Sequence, residues 1–322
     1  MFKVPILFLA YNRPEITKKT IENIKKIRPY KIYISIDGPK QNKKDKLKVQ
    51  AVRKILKKFN KKTLLKTKIN KTNLGCKKSN LNALNWFFAK EKMGIVIEDD
   101  CLVDKNFFKF CNLMLKKYKN SKKIYCISGS NFQAKKIFKE SYYFSKYNHC
   151  WGWATWRDRW KNNDGNIKFW PKFKNSIEWK SLHFDNIEMR YWTKIFDDSY
   201  NNKIDSWAYP WTLSVWKKNG ITITPTSNLV KNIGFGLDST HTKFADKEVS
   251  YLNKSILSKN FTHPKLIKIN KKADEYVFNY HFKGKNYIWP YRMIYICKLF
   301  VFNPLNFIIK LFNILKRSEN SI

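Results

Sequence analysis

The chain has 322 residues, of which 43% are hydrophobic and 16% aromatic, so it can bury a substantial core and is not disordered throughout. Its formal net charge is +41, from 65 Lys and Arg against 24 Asp and Glu. Only eight of the basic residues are Arg, which argues against a surface selected for nucleic-acid recognition, because bidentate base and phosphate contacts favour Arg. The length suits one large α/β domain, alone or with an appendage.

Strands and helices alternate in the first hundred residues. The hydrophobic pattern predicts strands over Val4–Ala10, Lys31–Ile36, Leu65–Ile69 and Gly94–Glu98, and helices over Pro14–Ile27, Lys43–Phe59 and Ser79–Lys90. The second helix is amphipathic, with one apolar face formed by Val49, Val52, Ile55, Leu56 and Phe59. This alternation favours a mostly parallel sheet, with the ligand site at the carboxyl ends of its strands.

The beginning of the chain and its thiols indicate a cytosolic setting. Met1–Leu9 is apolar but too short for a signal peptide with its cleavage site, and we interpret it as part of a buried first strand. Neither a C-x-x-C pair nor zinc-ligand spacing occurs among the six cysteines, which we expect to be reduced thiols: Cys76, Cys101, Cys111, Cys126, Cys150 and Cys297.

Three consecutive acids, Glu98, Asp99 and Asp100, end the fourth predicted strand. Adjacent carboxylates repel one another unless a cation or a set of donors offsets their charge. Hard oxygen ligands suit Mn2+ or Mg2+, the ions that usually accompany a diphosphate. Tyr11–Pro14 and Asp37-Gly38 follow two other strands, so all three clusters are expected at one sheet edge. The alternative is an acidic turn, with Asp104 capping a helix over Asn106–Tyr118.

Tryptophan is frequent in the middle of the chain. Trp151-Gly152-Trp153 is followed by Trp156, Trp160, Trp170, Trp179, Trp192, Trp207, Trp211 and Trp216. Most of these rings are expected in the core. Gly152 permits close approach of a backbone to a ligand, and Trp faces stack on sugar rings, so Gly152 and Trp153 are candidate residues of a sugar-binding region.

The C-terminal stretch Tyr287–Lys316 is rich in Ile, Phe, Leu and Tyr. Arg292, Lys298, Pro304 and Lys310 interrupt it, which leaves no room for a helix that spans a bilayer. An amphipathic segment in the membrane interface fits better, with Trp289, Tyr291 and Tyr295 at the headgroups. The alternative is a helix that packs on the core or dimerises.

In this order the motifs resemble the GT-A glycosyltransferases, and most closely bacterial family-2-like sugar transferases and N-acetylglucosaminyltransferase I. The resemblance covers roughly residues 3–243. It rests on Tyr11–Pro14, Ser35–Gly38, Asn73–Gly75, the acidic triplet with Asp104 and Phe107-Phe108, Trp151–Trp153, Asp205–Trp207, Asn232–Gly236 and Thr240–Thr242.

The resemblance implies a Rossmann-like GT-A fold with a mostly parallel central sheet flanked by helices. Residues 1–245 are the expected catalytic domain, with a nucleotide-sugar half over 1–130 and an acceptor half over 131–245. An extension over 246–286 and amphipathic membrane-associating or packing helices over 287–322 complete the predicted organisation.

The donor nucleotide is assigned to five residues on this resemblance. Asp37 would accept a hydrogen bond from the nucleobase NH, the contact that discriminates uracil. Arg13 would lie beside the base and phosphate, and Asp99 would hold the ribose or sugar hydroxyls. Tyr11 and Asn73 belong to motifs that flank them and complete the expected nucleotide site.

The metal and donor-sugar residues follow from the same resemblance. Asp100 would bind the Mn2+ or Mg2+ that bridges the two phosphates, and Glu98 would accept from a donor-sugar hydroxyl. His241, after the glycine-rich turn Gly234-Phe235-Gly236, would reach the metal or diphosphate, since neutral imidazole can do either. The alternative for His241 is a structural histidine with satisfied hydrogen bonds.

An inverting transfer also needs a general base near the acceptor hydroxyl. In the related transferase an acid just before a Trp has this role, and the best match is Asp205, two residues before Trp207. Ala208 occupies the position at which other relatives place an acid. The remaining candidates are Asp185, Glu188, Asp197 and Asp198, and Asp205 itself has the alternative of capping the helix Trp207–Lys217.

The sequence therefore predicts a metal-dependent, inverting glycosyltransferase that uses a UDP-sugar, with an N-acetylhexosamine as one candidate sugar. The acceptor would be a bacterial surface-glycan or lipid-linked hydroxyl, handled by a cytoplasmic protein at the inner face of the membrane. A sugar-phosphate nucleotidyltransferase is the nearest alternative, although the Tyr11–Pro14 turn lacks the glycine-rich loop such enzymes carry. A basic nucleic-acid-binding protein is suggested by charge alone and explains neither the triplet nor Trp151–Trp153; no specific nucleic-acid partner is expected.

Overall fold

The computed structural model describes residues 1–57, 59, 62–134, 138–234, 261–302, 304 and 308. Its strands are β1 Ile6–Ala10, β2 Lys31–Ile36, β3 Leu64–Ile69, β4 Met93–Glu98, β5 Cys101–Val103, β6 Ile124–Ser128, β7 Tyr142–Ser145, β8 Trp153–Trp156, β9 Ile221–Pro225 and β10 Val230–Asn232. Its helices are α1 Pro14–Lys25, α2 Lys43–Leu56, α3 Cys76–Lys90, α4 Lys105–Lys117, α5 Arg157–Trp160, α6 Trp170–Phe173, α7 Ile177–Ser181, α8 Asn186–Tyr200, α9 Ala208–Lys217, α10 Lys271–Tyr276 and α11 Tyr291–Phe302. A π-helical turn, Val277–His281, continues α10, and a 3-10 turn covers Gly284–Tyr287.

Eight strands form the central sheet in the order β3-β2-β1-β4-β8-β6-β9-β7. The first four are parallel, as the alternation of strands and helices predicts. The second half is mixed, because β8 runs antiparallel to both β4 and β6, and β7 runs antiparallel to β9. The fold is therefore mixed α/β, and the expectation of a mostly parallel sheet is confirmed only for its first half.

Both faces of the sheet are buried under helices. Along β1, Ile6 and Phe8 point into one apolar cluster, and Leu7 and Leu9 into the other, as the period of two in a strand requires. The second cluster contains most of the tryptophans, among them Trp153, Trp160, Trp170, Trp179, Trp192, Trp207, Trp211 and Trp216. The expectation that most Trp rings belong to the core is confirmed.

A small second sheet brings a late segment to the acidic triplet. The strand β10 pairs antiparallel with β5, which follows the triplet directly. The backbone N–H of Ile233 then donates to the carbonyl of Asp100 at 2.8 Å. Residues 232–234 are thereby held against the edge at which β1, β2 and β4 end.

Two helix starts show how capping sets the boundaries. Asp104 accepts from Asn106 N at 2.7 Å and caps α4, the role given above as part of the alternative interpretation of the acidic triplet. The helix α3 begins at Cys76, three residues before the predicted start at Ser79. Its first amides are satisfied by Asp205, which is distant in sequence, and a local pattern cannot reveal such a cap.

The described part of the C-terminal stretch is largely exposed. Trp289 is 78% exposed, and Phe300 and Val301 on α11 are 60% and 65% exposed. None of the helices in the ranges given above is long and apolar enough to cross a membrane.

Candidate functional site

A cleft of about 710 Å³ lies at the carboxyl ends of β1, β2 and β4. That volume is within the range of ligand sites, about 300 to 1,000 Å³. Eight of the predicted site residues line it: Tyr11, Arg13, Asp37, Asn73, Glu98, Asp99, Asp100 and Asp205. The structure therefore brings together residues that are up to 194 positions apart in the sequence, between Tyr11 and Asp205.

Arg13 joins two of the three acids at the centre of the cleft. Its Nη2 lies 2.7 Å from Asp99 Oδ1, and its Nη1 lies 3.2 Å from Asp100 Oδ2. The third acid, Glu98, accepts a hydrogen bond at 3.1 Å from the indole Nε1 of Trp207. The helix α1 adds Thr20, whose hydroxyl donates to the backbone carbonyl of Asp99 at 2.7 Å.

The triplet carries more negative charge than Arg13 neutralises. Burial, reinforced by the charge of Asp100, raises the pKa of Glu98 to about 8. Burial also raises the pKa of Asp99 to about 6, where attraction to Arg13 opposes it and repulsion from Asp100 adds to it. Burial works to lower the pKa of Arg13, but Asp99 and Asp100 outweigh it and raise that pKa. One guanidinium among three carboxylates is an environment that favours a further cation.

The donor set at the triplet suits a divalent ion that arrives with phosphates. Within the described ranges no three or more His, Cys, Asp or Glu side chains form a group that could hold a metal ion by themselves. Mg2+ is commonly bound through one or two carboxylates, with substrate phosphates and waters completing its shell. Asp100, which faces the cleft, can supply such a carboxylate.

Gly234 keeps space open beside Asp100. A Cβ added at this position would lie 2.6 Å from Arg13 Nη1 and 2.7 Å from Asp100 Cβ, closer than van der Waals contact allows. The lack of a side chain at Gly234 therefore leaves space beside the triplet. His241, the predicted late ligand, lies outside the described residues, so its assignment stays a prediction.

Asp37 is held rigidly at the other end of the cleft. Its Oδ1 accepts from the amides of Gly38 and Leu74 at 2.8 and 3.1 Å. Its Oδ2 accepts from Asn73 Nδ2 at 3.0 Å, and Asn70 Nδ2 donates to Oδ1 at 2.9 Å. The amide of Leu74 also lies 3.3 Å from Oδ2, so four donors hold the carboxylate in place.

Asp45 organises the loop after β1 and is not among the site residues predicted from the sequence. Its carboxylate accepts from the Tyr11 hydroxyl at 2.7 Å, from Asn12 Nδ2 at 2.5 Å and from Lys40 N at 2.6 Å. Burial works to raise the pKa of Asp45, but the hydrogen bonds from Asn12 and Lys40 outweigh it and lower that pKa. Burial and the bond to Asp45 raise the pKa of Tyr11. The sequence signal that could have identified Asp45 is an acidic residue at a core-facing position of α2.

Asp205 lines the cleft and also caps α3. Its two carboxylate oxygens accept from Cys76 N and Lys77 N, both at 2.8 Å. The expected alternative was a cap on its own helix, but that helix begins at Ala208, with Trp207 at the cap position. Asp205 therefore links the later half of the chain to the start of α3.

The other four acids considered for the base do not line the cleft. Glu188 is fully buried and accepts from Lys146 and from the Tyr147 hydroxyl. Asp185 caps α8 through Glu188 N at 2.7 Å. Asp197 accepts from Trp170 Nε1 at 2.8 Å, and Asp198 pairs with Lys194 at 2.6 Å.

Gly152 and Trp153 are not placed as the sequence analysis expected. Trp153 is 1% exposed, belongs to β8 and stacks on Trp207 at 5.5 Å between centroids, so it lies behind the cleft wall. Gly152 has a φ of +59°, and an added Cβ would lie 2.8 Å from Val230 Cγ2, so the glycine serves packing and not ligand approach. Trp151 lines the cleft instead: it precedes β8, and the positive φ of Gly152 turns the backbone between the two rings, so the period of two in a strand does not relate them.

Comparison with known proteins places these motifs in a family. A family model described as "GNT-I family" matches residues 1–178, more than half of the chain. No curated protein sequence matches this chain.

Several solved structures are distantly similar to the chain. The mannosyltransferase PcManGT from Pyrobaculum calidifontis, in complex with GDP-Man and Mn2+, has 11% identity and a TM-score of 0.34, with 49% of this chain and 45% of that chain covered. A UDP-glucose pyrophosphorylase complexed with UDP-glucose has 11% identity and a TM-score of 0.35, with 70% and 90% covered. HddC from Yersinia pseudotuberculosis has 12% identity and a TM-score of 0.30, with 48% and 77% covered.

These structural likenesses are too weak to carry a functional argument, and this chain spans less than half of the mannosyltransferase's length. The family match covers β1 to α6 and so includes Arg13, Asp37 and the acidic triplet. The chain belongs to the GNT-I family, a family of GT-A-type glycosyltransferases.

Proposed function

We propose that this protein is a metal-dependent, inverting glycosyltransferase that takes a sugar from a UDP-sugar, with an N-acetylhexosamine as one candidate. The observation that carries the proposal is the excess negative charge of the triplet inside a cleft that also holds Asp37. A nucleotide diphosphate with a bound cation matches both ends of this cleft. Asp37 would accept from the uracil NH, and Asp99 would hold the ribose.

Each group in the cleft has a place in the reaction. Asp100 would hold the Mn2+ or Mg2+, which when bound neutralises charge that develops on the leaving diphosphate. Arg13, already beside Asp99 and Asp100, would lie next to the phosphates. Glu98 would orient the donor sugar through a hydroxyl.

Asp205 is the proposed general base. It would accept the proton of the acceptor hydroxyl while that oxygen attacks the anomeric carbon and the bond to the diphosphate breaks. Among the five acids considered for this role, it is the one that lines the cleft. Its two bonds from α3 orient the carboxylate and leave lone pairs for a hydroxyl.

We further propose a glycan or lipid-linked acceptor at the inner face of the cytoplasmic membrane. The exposed aromatic and aliphatic side chains of Trp289, Tyr291 and Val301 support this placement, as does the charge of +41. Aromatic rings favour the headgroup region, and cationic chains are attracted to anionic lipids.

The decisive experiment is Asp100→Ala in an assay of transfer from UDP-sugars with Mn2+ present. We expect near-complete loss of transfer with the far-UV circular dichroism unchanged, because the cation loses its protein ligand. Glu178→Ala, at an exposed position on α7, is the control for loss of an acid elsewhere. Undiminished transfer in Asp100→Ala would contradict the mechanism. A thermal-shift screen of UDP-, GDP-, CMP- and dTDP-sugars with and without Mn2+ would identify the donor base.

A further inference from the structure

An aromatic wall lines the cleft on the side away from Asp37. We define this wall as Phe132, His149, Trp151, His281 and Phe282, all of which line the cleft. The rings of Phe132 and His281 stack at 3.6 Å between centroids, and His149 packs edge-on to Phe132 at 4.4 Å. Trp151 packs edge-on to Phe132 at 5.6 Å.

The C-terminal segment builds part of this wall and is firmly attached to the core. Asn270 N donates to the carbonyl of Phe144 at 2.8 Å. Asp274 is 2% exposed and accepts from Ser145 Oγ at 2.5 Å and from Lys146 N at 2.9 Å. These bonds fix α10, and the π-helical turn that continues it carries His281 into the cleft. His281 and Phe282 lie beyond the residues that the family model matches.

The wall adjoins the acidic triplet through Cys150. This thiol lines the cleft beside His149 and Trp151 in the chain. Glu98, Asp99 and Asp100 line the same cleft. A group held against the wall therefore shares the cleft with the triplet.

The chemistry of the wall end is aromatic and neutral. Among the described lining residues, the charged side chains are Arg13, Asp37, Lys40, the triplet and Asp205, none of which belongs to the wall. Burial, reinforced by His281, keeps the pKa of His149 well below its usual value, so its imidazole is neutral near pH 7.

We propose that the aromatic wall is the acceptor subsite and binds a neutral pyranose ring, whose apolar face packs on the aromatic rings. This inference rests on the proposed transferase function and specifies its acceptor. Aromatic faces match the C–H face of a sugar, and the absence of Lys and Arg from the described wall disfavours an acidic or phosphorylated ring.

Binding of simple glycosides tests the subsite directly. We would measure saturation-transfer NMR of methyl β-D-galactopyranoside, methyl α-D-mannopyranoside and methyl N-acetyl-β-D-glucosaminide, with UDP and Mg2+ present. At least one neutral glycoside is expected to receive saturation on one face of its ring. His281→Ala is expected to raise its Kd about 2- to 12-fold, the range for loss of one ring contact.

Controls separate this subsite from the fold and from the donor site. Tyr280→Ala changes the neighbouring exposed residue and should leave glycoside binding unchanged. Phe132→Leu keeps an apolar side chain without the ring and should also weaken glycoside binding. It serves as the test variant if His281→Ala fails to fold. Calorimetric binding of UDP with Mg2+ should be unaltered in all three variants.

Three results would overturn the proposal: no neutral glycoside binds the wild type, binding is equal in wild type and both wall variants, or only methyl β-D-glucuronide or glucose 1-phosphate binds. If wild-type protein does not bind UDP, the donor proposal fails, whereas the glycoside measurement still decides the role of the wall.

Discussion

Substituting Glu98 by Gln should stabilise the ligand-free protein at alkaline pH. The folded state holds the proton of Glu98 more tightly than the unfolded state, because its pKa is raised from 4.5 to about 8. The free energy of unfolding therefore decreases as the pH rises from 4.5 towards 8. Gln has no charge to lose, and its Oε1 can still accept from Trp207, so the variant should not show this part of the decrease.

The magnitude follows from the size of the shift. At about 1.4 kcal/mol per pKa unit, full ionisation of Glu98 costs the folded state at most about 5 kcal/mol. Roughly 3 kcal/mol of that develops between pH 5 and pH 8. The two proteins should therefore have similar stability at pH 5, where the carboxyl is mostly protonated in the folded state, and differ by up to this amount at pH 8.

Urea unfolding followed by tryptophan fluorescence at pH 5 and pH 8 provides the assay. Glu178→Gln, at an exposed position on α7, controls for loss of an acid elsewhere. Adding UDP and Mn2+ at pH 8 should reduce the difference in the free energy of unfolding between wild type and Glu98→Gln, because the cation offsets the repulsion among the three carboxylates. Parallel pH profiles for wild type and Glu98→Gln would refute the electrostatic account of the triplet.

Three further substitutions probe the cleft. Gly234→Ala would place a carbon 2.7 Å from Asp100 Cβ and should weaken calorimetric binding of UDP with Mn2+ at least about tenfold. Gly165→Ala is the control. Equal affinity of wild type and Gly234→Ala for UDP with Mn2+ would contradict the role given to the open space beside Asp100. Asp205→Asn should lower the transfer rate about 10²- to 10⁴-fold, while Asp205→Ala should in addition cost about 1 kcal/mol as a lost helix cap; normal turnover of the Asn variant would remove it as the base. Asp45→Ala should raise the Kd for UDP about tenfold, because the loop after β1 loses three hydrogen bonds, and an unchanged Kd would show that this loop does not contact the nucleotide.

Apart from the three-residue strand β5, the strands and helices before residue 118 were predictable because each has a local signal. The hydrophobic period predicted β2 at its observed bounds and most other elements within a few residues. The carboxyl-end rule then predicted that Arg13, Asp37 and the triplet meet, because it depends only on parallel strand order. That order was set by local alternation of strands and helices.

The remaining features depend on contacts between residues that are distant in the sequence. The antiparallel insertion of β8 between β4 and β6 has no local signal, since a short apolar strand fits either direction. Trp153 is the first residue of β8 and Trp151 precedes the strand. The sequence does not show where this strand begins, so it could not decide which of the two rings lines the cleft. His281 and Phe282 join the cleft through bonds of α10 to Ser145 and Lys146, which no local pattern reveals.

The bonds from Asp205 to α3 have a consequence for how ligands meet the cleft. Hydrogen bonds of 2.8 Å weaken steeply when stretched or bent, so they fix the distance between residue 205 and the loop that ends at Gly75. The width of the cleft at this point is thus set during folding and not by an incoming donor. The conformational entropy of ordering these groups is lost on folding and not on binding, so the cleft is preorganised at the carboxylate that we propose as the general base.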